Sequence, residues 1–233
     1  MRYLLLVVNL FVITTLFAQQ RYISSGIIAF SGGAYERAIR DINLALENPG
    51  ALSLDDASKS YFYRAASYIR LARKGASSDQ GNVALFLSAY SDLKKVRSFG
   101  IPSWVERASK ELYDIYPELK KQAELAYANS QNVSDSLARW ALLSRSLNYL
   151  KAVTFIGPTW ETNELMGKVY LGLATIAALE DQETGKRYYN DAIESFEASY
   201  KSNNECDCVE GLLEASRKIG DKERVERYAV VEN

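Results

Sequence analysis

Residues 34–50, AYERAIRDINLALENPG, decide the reading of this chain. Within them Ala38, Ile39, Ile42 and Ala45 stand at offsets 0, 1, 4 and 7, and Pro49 follows. Side chains at those offsets share one face of an α-helix, because a turn takes 3.6 residues. Proline cannot continue the helix and Gly50 accepts a C-terminal turn, so the segment ends there. Outward from this stretch the offsets recur. Ala89, Tyr90, Leu93 and Val96 precede Pro102, and Ser146, Leu147, Leu150 and Val153 precede Pro158. Ala192, Ile193, Phe196 and Ser199 repeat them again, with Asn203 and Asn204 where the proline would be. Self-similarity of this kind marks stacked units that cannot bury their apolar faces alone.

Each copy has a partner helix before it. Residues 20–31 are helical by periodicity, Gly32-Gly33 breaks them, and the quoted stretch returns antiparallel: an αα-hairpin. Ser53-Leu54-Asp55-Asp56 caps the next helix, which runs to about Lys74. Residues 75–82 read as a polar turn and 83–99 as the returning helix. In the third unit Ser103-Trp104-Val105-Glu106 reads as a capping box, and Pro117 predicts a kink or a restart. Residues 129–134 are expected to be a loop and 135–156 a helix. The fourth pair is predicted over about 160–179 and 185–202. A shorter, more charged terminal pair follows over about 207–219 and 222–230. No low-complexity linker divides residues 19–233, which read as one helical domain.

Composition narrows the function classes. The 233 residues include no histidine, which removes the commonest general base and metal ligand together. Zinc sites built on histidine, Ser-His-Asp triads and Cys-His dyads are excluded, and no cofactor or metal is implied. Net charge is −1, without the clustered basic stripe of a nucleic-acid interface. Arg2 followed by the apolar stretch Leu4–Phe17 and the small residue Ala18 reads as a signal peptide over 1–18. That stretch is shorter than the ~20 apolar residues of a membrane span, with an uncleaved anchor as the alternative. Phe17-Ala18-Gln19-Gln20 resembles the signal-peptide ends of exported Bacteroidota proteins. No cysteine follows for lipid attachment. The expectation is a periplasmic, secreted or cell-surface protein with no stable span after cleavage.

The offsets resemble the tetratricopeptide repeat (TPR) family. Tyr22, Gly26 and Ala29 fill that family's first-helix series, and Tyr35, Ala38, Ile42, Ala45 and Pro49 its second. Tyr61, Ala65 and Tyr68 lead similarly to Ala89, Leu93, Val96 and Pro102; Gly167 and Tyr170 lead to Ala192, Phe196 and Ser199. The resemblance implies an all-α, right-handed α-solenoid of about five antiparallel helix pairs, binding a protein or peptide in the concave groove of its first helices. Carried over by position, that groove would present Ile23, Ile27 and Phe30, then Lys59, Phe62, Ile69 and Arg70, then Val105, Leu112 and Tyr113. Aromatic and arginine side chains suit an interface anchor. Helical spacing alone does not separate such a groove from ordinary core, so both readings stand for the apolar members.

Remaining motifs have plainer explanations. Cys206-Asp207-Cys208 supplies too few ligands for zinc and reads as a packing or loop element. A disulfide two residues apart would be strained, although an oxidising compartment could support one, and redox chemistry is the lesser reading. Ser91-Asp92-Leu93-Lys94 matches the Ser-x-x-Lys of penicillin-recognising enzymes without its companion motifs. Glu180, Asp181 and Glu183 read as a solvated turn. Asn132-Val133-Ser134 and Asp135-Ser136-Leu137 have the form of N- and O-glycosylation acceptors in an exposed loop. The sixteen tyrosines are largely accounted for by the repeat signature. The expected function is a non-enzymatic protein-binding scaffold outside the cytoplasm, with a carbohydrate-binding envelope protein as the alternative.

Overall fold

The computed structural model describes residues 19–74 and 79–230, with the predicted leader at 1–18 outside them. Every regular element described is helical. Residues 19–31 form α1, followed by α2 (Tyr35–Ala45), α3 (Leu54–Lys74), α4 (Asp79–Ser98) and α5 (Pro102–Gln131). Then come α6 (Ser136–Ile156), α7 (Trp160–Ala177), α8 (Gln182–Ser202), α9 (Val209–Ile219) and α10 (Lys222–Ala229). These ten helices are packed in sequential pairs, an arrangement consistent with a helical repeat. No described helix is long and apolar enough to cross a membrane. The chain forms two compact units, Met1–Ile115 and Tyr116–Asn233, and the division falls inside α5.

Burial follows the repeated offsets. Offsets 0, 4 and 7 are 0% exposed in all four copies: Ala38, Ile42 and Ala45; Ala89, Leu93 and Val96; Ser146, Leu150 and Val153; Ala192, Phe196 and Ser199. Offset 1 is looser, with Ile39 and Tyr90 half-buried. Two of these core positions hold serine, and a buried hydroxyl is tolerated only when hydrogen-bonded. Ser146 Oγ donates to the Ala123 carbonyl of α5 at 2.8 Å, and Ser199 Oγ to the Trp160 carbonyl of α7 at 2.9 Å. Each serine therefore ties its helix to the preceding partner.

Close approach inside the pairs depends on glycine. A Cβ on Gly26 of α1 would stand 2.5 Å from Ile42 Cγ1 of α2, and one on Gly167 of α7 would stand 2.6 Å from Phe196 Cδ1 of α8. The same offset residue thus sits against the same first-helix position in the two units.

Helix ends show where local chemistry acts. Gly33 turns α1 into α2 with φ +75°, a left-handed conformation that favours glycine. Ser53 Oγ accepts from the Asp56 amide at the start of α3, as its sequence predicts. By contrast, Pro102 itself takes the first position of α5, which needs no amide hydrogen there, so the Ser103–Glu106 box is not formed. Thr159 and Thr162 cap α7 reciprocally, a pair without the usual Glu or Gln. Pro117 neither ends nor restarts a helix: α5 runs through it to Gln131. Helix α4 already begins at Asp79, inside the predicted turn.

Candidate functional site

First helices of successive pairs touch one another within the first unit, and aromatic side chains line the contact. Phe30 of α1 meets Tyr63 of α3 edge-on at 5.3 Å between centroids and Tyr35 at 5.9 Å. Phe62 of α3 lies 5.6 Å from Tyr63 and 5.5 Å from Trp104 of α5. Tilted and edge-to-face arrangements suit the ring quadrupoles. Five rings from three segments of sequence thus form one continuous floor.

Arg107, one turn beyond Trp104 on α5, covers that floor. Its guanidinium carbon stands 4.3 Å from the Phe62 centroid, 4.5 Å from Trp104 and 5.7 Å from Tyr63. The ring faces attract the cation. The floor is anchored in turn: Trp104 Nε1 donates to Asp55 Oδ1 at 2.7 Å, and Lys59 Nζ stands 3.8 Å from Asp55 Oδ2. Arg107 itself is exposed and makes no ion pair or hydrogen bond with another side chain among the described residues. Its N–H groups lie in the guanidinium plane and point to its edge, so contacts with ring faces leave them available to an acceptor. Chemically, the platform offers an unpaired cation seated on buried Phe62 and Trp104, with half-buried Phe30, Tyr35 and Tyr63 beside it.

Along the same helices, ion pairs set the spacing. Arg70 reaches Glu111 at 3.5 Å, and Arg73 donates to Asp114 Oδ2 at 2.9 Å and to its backbone carbonyl at 3.1 Å. On the other side of α3, Arg64 makes a two-pronged contact with Asp92 of α4, Nε to Oδ2 at 2.8 Å and Nη2 to Oδ1 at 2.7 Å. Its remaining prong reaches Asn43 Oδ1 of α2 at 2.7 Å. Burial pushes the Asp92 carboxyl up, against the pull of Arg64.

The residues expected to line a groove divide accordingly. Ile23, Phe62, Ile69 and Leu112 are core, at 2%, 5%, 0% and 1% exposure, and offer no free surface. Ile27, Phe30, Lys59, Arg70 and Val105 are half-buried, and Tyr113 is 66% exposed. Phe30, Lys59 and Phe62 come together at the platform. Arg70 is held at Glu111, one turn beyond Arg107 along α5. Tyr63, Trp104 and Arg107, which carry most of the platform, are not among the residues expected from sequence. Trp104 and Arg107 do stand three residues apart just after Pro102, a spacing that places them on one helix face.

Other motifs resolve differently. Cys206 and Cys208 are joined as a disulfide in the α8–α9 loop, so the thiols are not simply loop packing, although both residues are buried. Asp181 caps α8, accepting from the Glu183 amide and the Thr184 hydroxyl, and these bonds hold its carboxyl below the usual range. Asp92 and Leu93 are buried while Ser91 and Lys94 sit on the rim of an open cleft of about 440 Å³. Residues 134–137 are exposed, and Asp135 caps α6. Comparison with family models, with curated proteins and with solved structures found no match.

Proposed function

We propose that this chain is a non-enzymatic scaffold of TPR type, a right-handed solenoid that holds a protein or peptide partner against its first helices outside the cytoplasm. The observation that carries the reading is Arg107 lying over Phe62, Tyr63 and Trp104 with no acidic partner of its own among the described residues. A peptide with an apolar side chain next to a carboxylate fits this surface, since half-buried Phe30 and Tyr63 leave apolar area to cover while the guanidinium edge binds an acid in a two-pronged contact. Rings locked by mutual contact lose little freedom on docking. The histidine-free sequence supports a binding role over catalysis. Export rests on the predicted leader. Trp104 is 7% exposed beneath Arg107, which favours a peptide over a stacked sugar.

Site-specific photo-crosslinking tests the proposal. A photoreactive phenylalanine analogue replaces Val105 or Tyr113 on α5, with Ser91 on α4 as the comparison. Discrete protein adducts from the α5 positions, absent from Ser91 and lost on Arg107→Ala, support it. Adducts that form equally at all three positions, or that persist without Arg107, overturn it.

A further inference from the structure

Away from the platform, α1 and α2 enclose a cleft of about 490 Å³ lined by Arg21, Tyr22, Ser25, Arg37, Arg40 and Asp41. Three arginines and one carboxylate line it, an excess of two positive charges, and two of the guanidinium groups approach the carboxylate. Asp41 is 8% exposed and organises the rest. It accepts from Ser25 Oγ at 2.7 Å, while Arg37 Nε stands 3.5 Å from its Oδ2 and Arg40 Nε 3.6 Å from its Oδ1. Both arginines thus turn the inner nitrogen toward the carboxylate as an ion pair, at distances longer than a hydrogen bond. Their side chains are 63% and 70% exposed, and no other acceptor for them is found among the described residues. Arg21 has no ion pair among the described residues. Like charges gathered in one cleft repel unless an anion offsets them, and the excess here matches a dianion. Guanidinium forks bind phosphate oxygens in pairs, which a compact ammonium does not.

We infer that this cleft binds a phosphate group, with Arg21, Arg37 and Arg40 as its ligands and Asp41 as the residue that positions two of them. The group is either a soluble phosphate or a phospholipid headgroup. This inference is independent of the peptide platform.

Calorimetric titration of the full chain with inorganic phosphate, at constant ionic strength against a chloride control, tests it. Saturable binding is expected, weakened about tenfold or more by Arg37→Gln or Arg40→Gln, the effect of losing one charge-assisted hydrogen bond. Arg107→Ala leaves it unchanged. Both replaced arginines are largely exposed, so the helical signal and unfolding temperature measured without phosphate verify that the variants fold. Asp41→Asn separates a built site from a diffuse basic patch. It raises the positive charge of the cleft, so a patch binds phosphate more tightly, whereas a positioned site binds it less. Co-sedimentation with phosphatidylcholine vesicles, with and without phosphatidic acid, distinguishes the sources. Retention on phosphatidic acid that phosphate competes away assigns a headgroup, and phosphate binding without retention assigns a soluble ester. Absence of saturation at millimolar phosphate, equal affinity in the arginine variants, or tighter binding by Asp41→Asn overturns the inference.

Discussion

Gly167 lies so close to the ring of Phe196 that a Cβ on the glycine would stand 2.6 Å from Cδ1. Gly211 of α9 approaches the same ring, with a Cβ there 2.5 Å from Cζ. Phe196 is 0% exposed and wedged between two helices, so it cannot swing away from either intruder. Alanine normally improves a helix by roughly 1 kcal/mol over glycine. Here the overpacking, typically about 1–3 kcal/mol, opposes that gain. Gly167→Ala is expected to lower stability by up to about 2 kcal/mol net. Phe196→Leu in that background recovers part of the loss, measured by urea unfolding. Gly26→Ala, facing Ile42, behaves alike in the first unit if the repeat is one packing solution used twice.

Arg64 and Asp92 supply the second prediction. Their side chains are 18% and 7% exposed, and each holds the other's charge away from water. Removing one partner leaves the other charge buried and uncompensated, so Arg64→Met should destabilise by about 3 kcal/mol. Arg64→Met with Asp92→Leu restores much of it. Burial raises the Asp92 carboxyl even with its partner present. Without Arg64 the rise is greater, and a raised folded-state pKa means stability lost as pH climbs through that value. The gap between Arg64→Met and wild type therefore narrows as pH falls toward the ordinary carboxylate range. A gap that is constant with pH contradicts this account.

Much of the architecture is legible in the sequence because burial imposes a period on it. Alanine, serine, branched apolar residues and, in α8, Phe196 at offsets 0, 4 and 7 mark one face, and that face is fully buried in α2, α4, α6 and α8. Prolines and glycines place most helix ends within a few residues. At Pro117 only the restart half of the expectation fails: α5 runs through the proline, and the flanking residues Ile115 and Leu119 are 0% exposed, so their burial outweighs the local rule. The platform is less visible for a different reason. Its rings come from Phe30, Tyr35, Phe62, Tyr63 and Trp104, and only packing of α1, α2, α3 and α5 brings them together. Periodicity also gives no way to tell Ile69, at 0% exposure, from Tyr113, at 66%.

Tyr170 predicts alkaline behaviour. Burial, with Asp191, Tyr188 and Glu194 nearby, pushes its phenol up to about 12. The folded-state value lies above the unfolded one near 10, so the associated stability is intact below about pH 10 and is lost as pH rises from there to 12. On the order of 2 kcal/mol is at stake. Tyr170→Phe removes the titrating group. Its urea midpoint should fall less than that of wild type between pH 9 and pH 11.5, values chosen roughly to bracket the phenol's ordinary range. Equal falls in both proteins would assign the alkaline loss to other groups.

Pro117 gives the final test, on α5 itself. A proline inside a helix has no amide hydrogen, so the Tyr113 carbonyl four residues earlier lacks its intrahelical donor, and the ring crowds that turn. The penalty for an interior proline is roughly 3 kcal/mol relative to alanine. Pro117 is exposed and buries nothing in the core, so alanine there sacrifices no packing. Pro117→Ala is therefore expected to raise stability by about 1–3 kcal/mol, less where the helix has already relaxed around the ring. In that variant the substituted residue gains an amide, and its exchange and that of its neighbours should be slow once the new hydrogen bond to the Tyr113 carbonyl forms. If the substitution instead lowers the unfolding midpoint, the proline shapes a bend that the packing of α5 requires, and continuity through this turn is not what stabilises the helix.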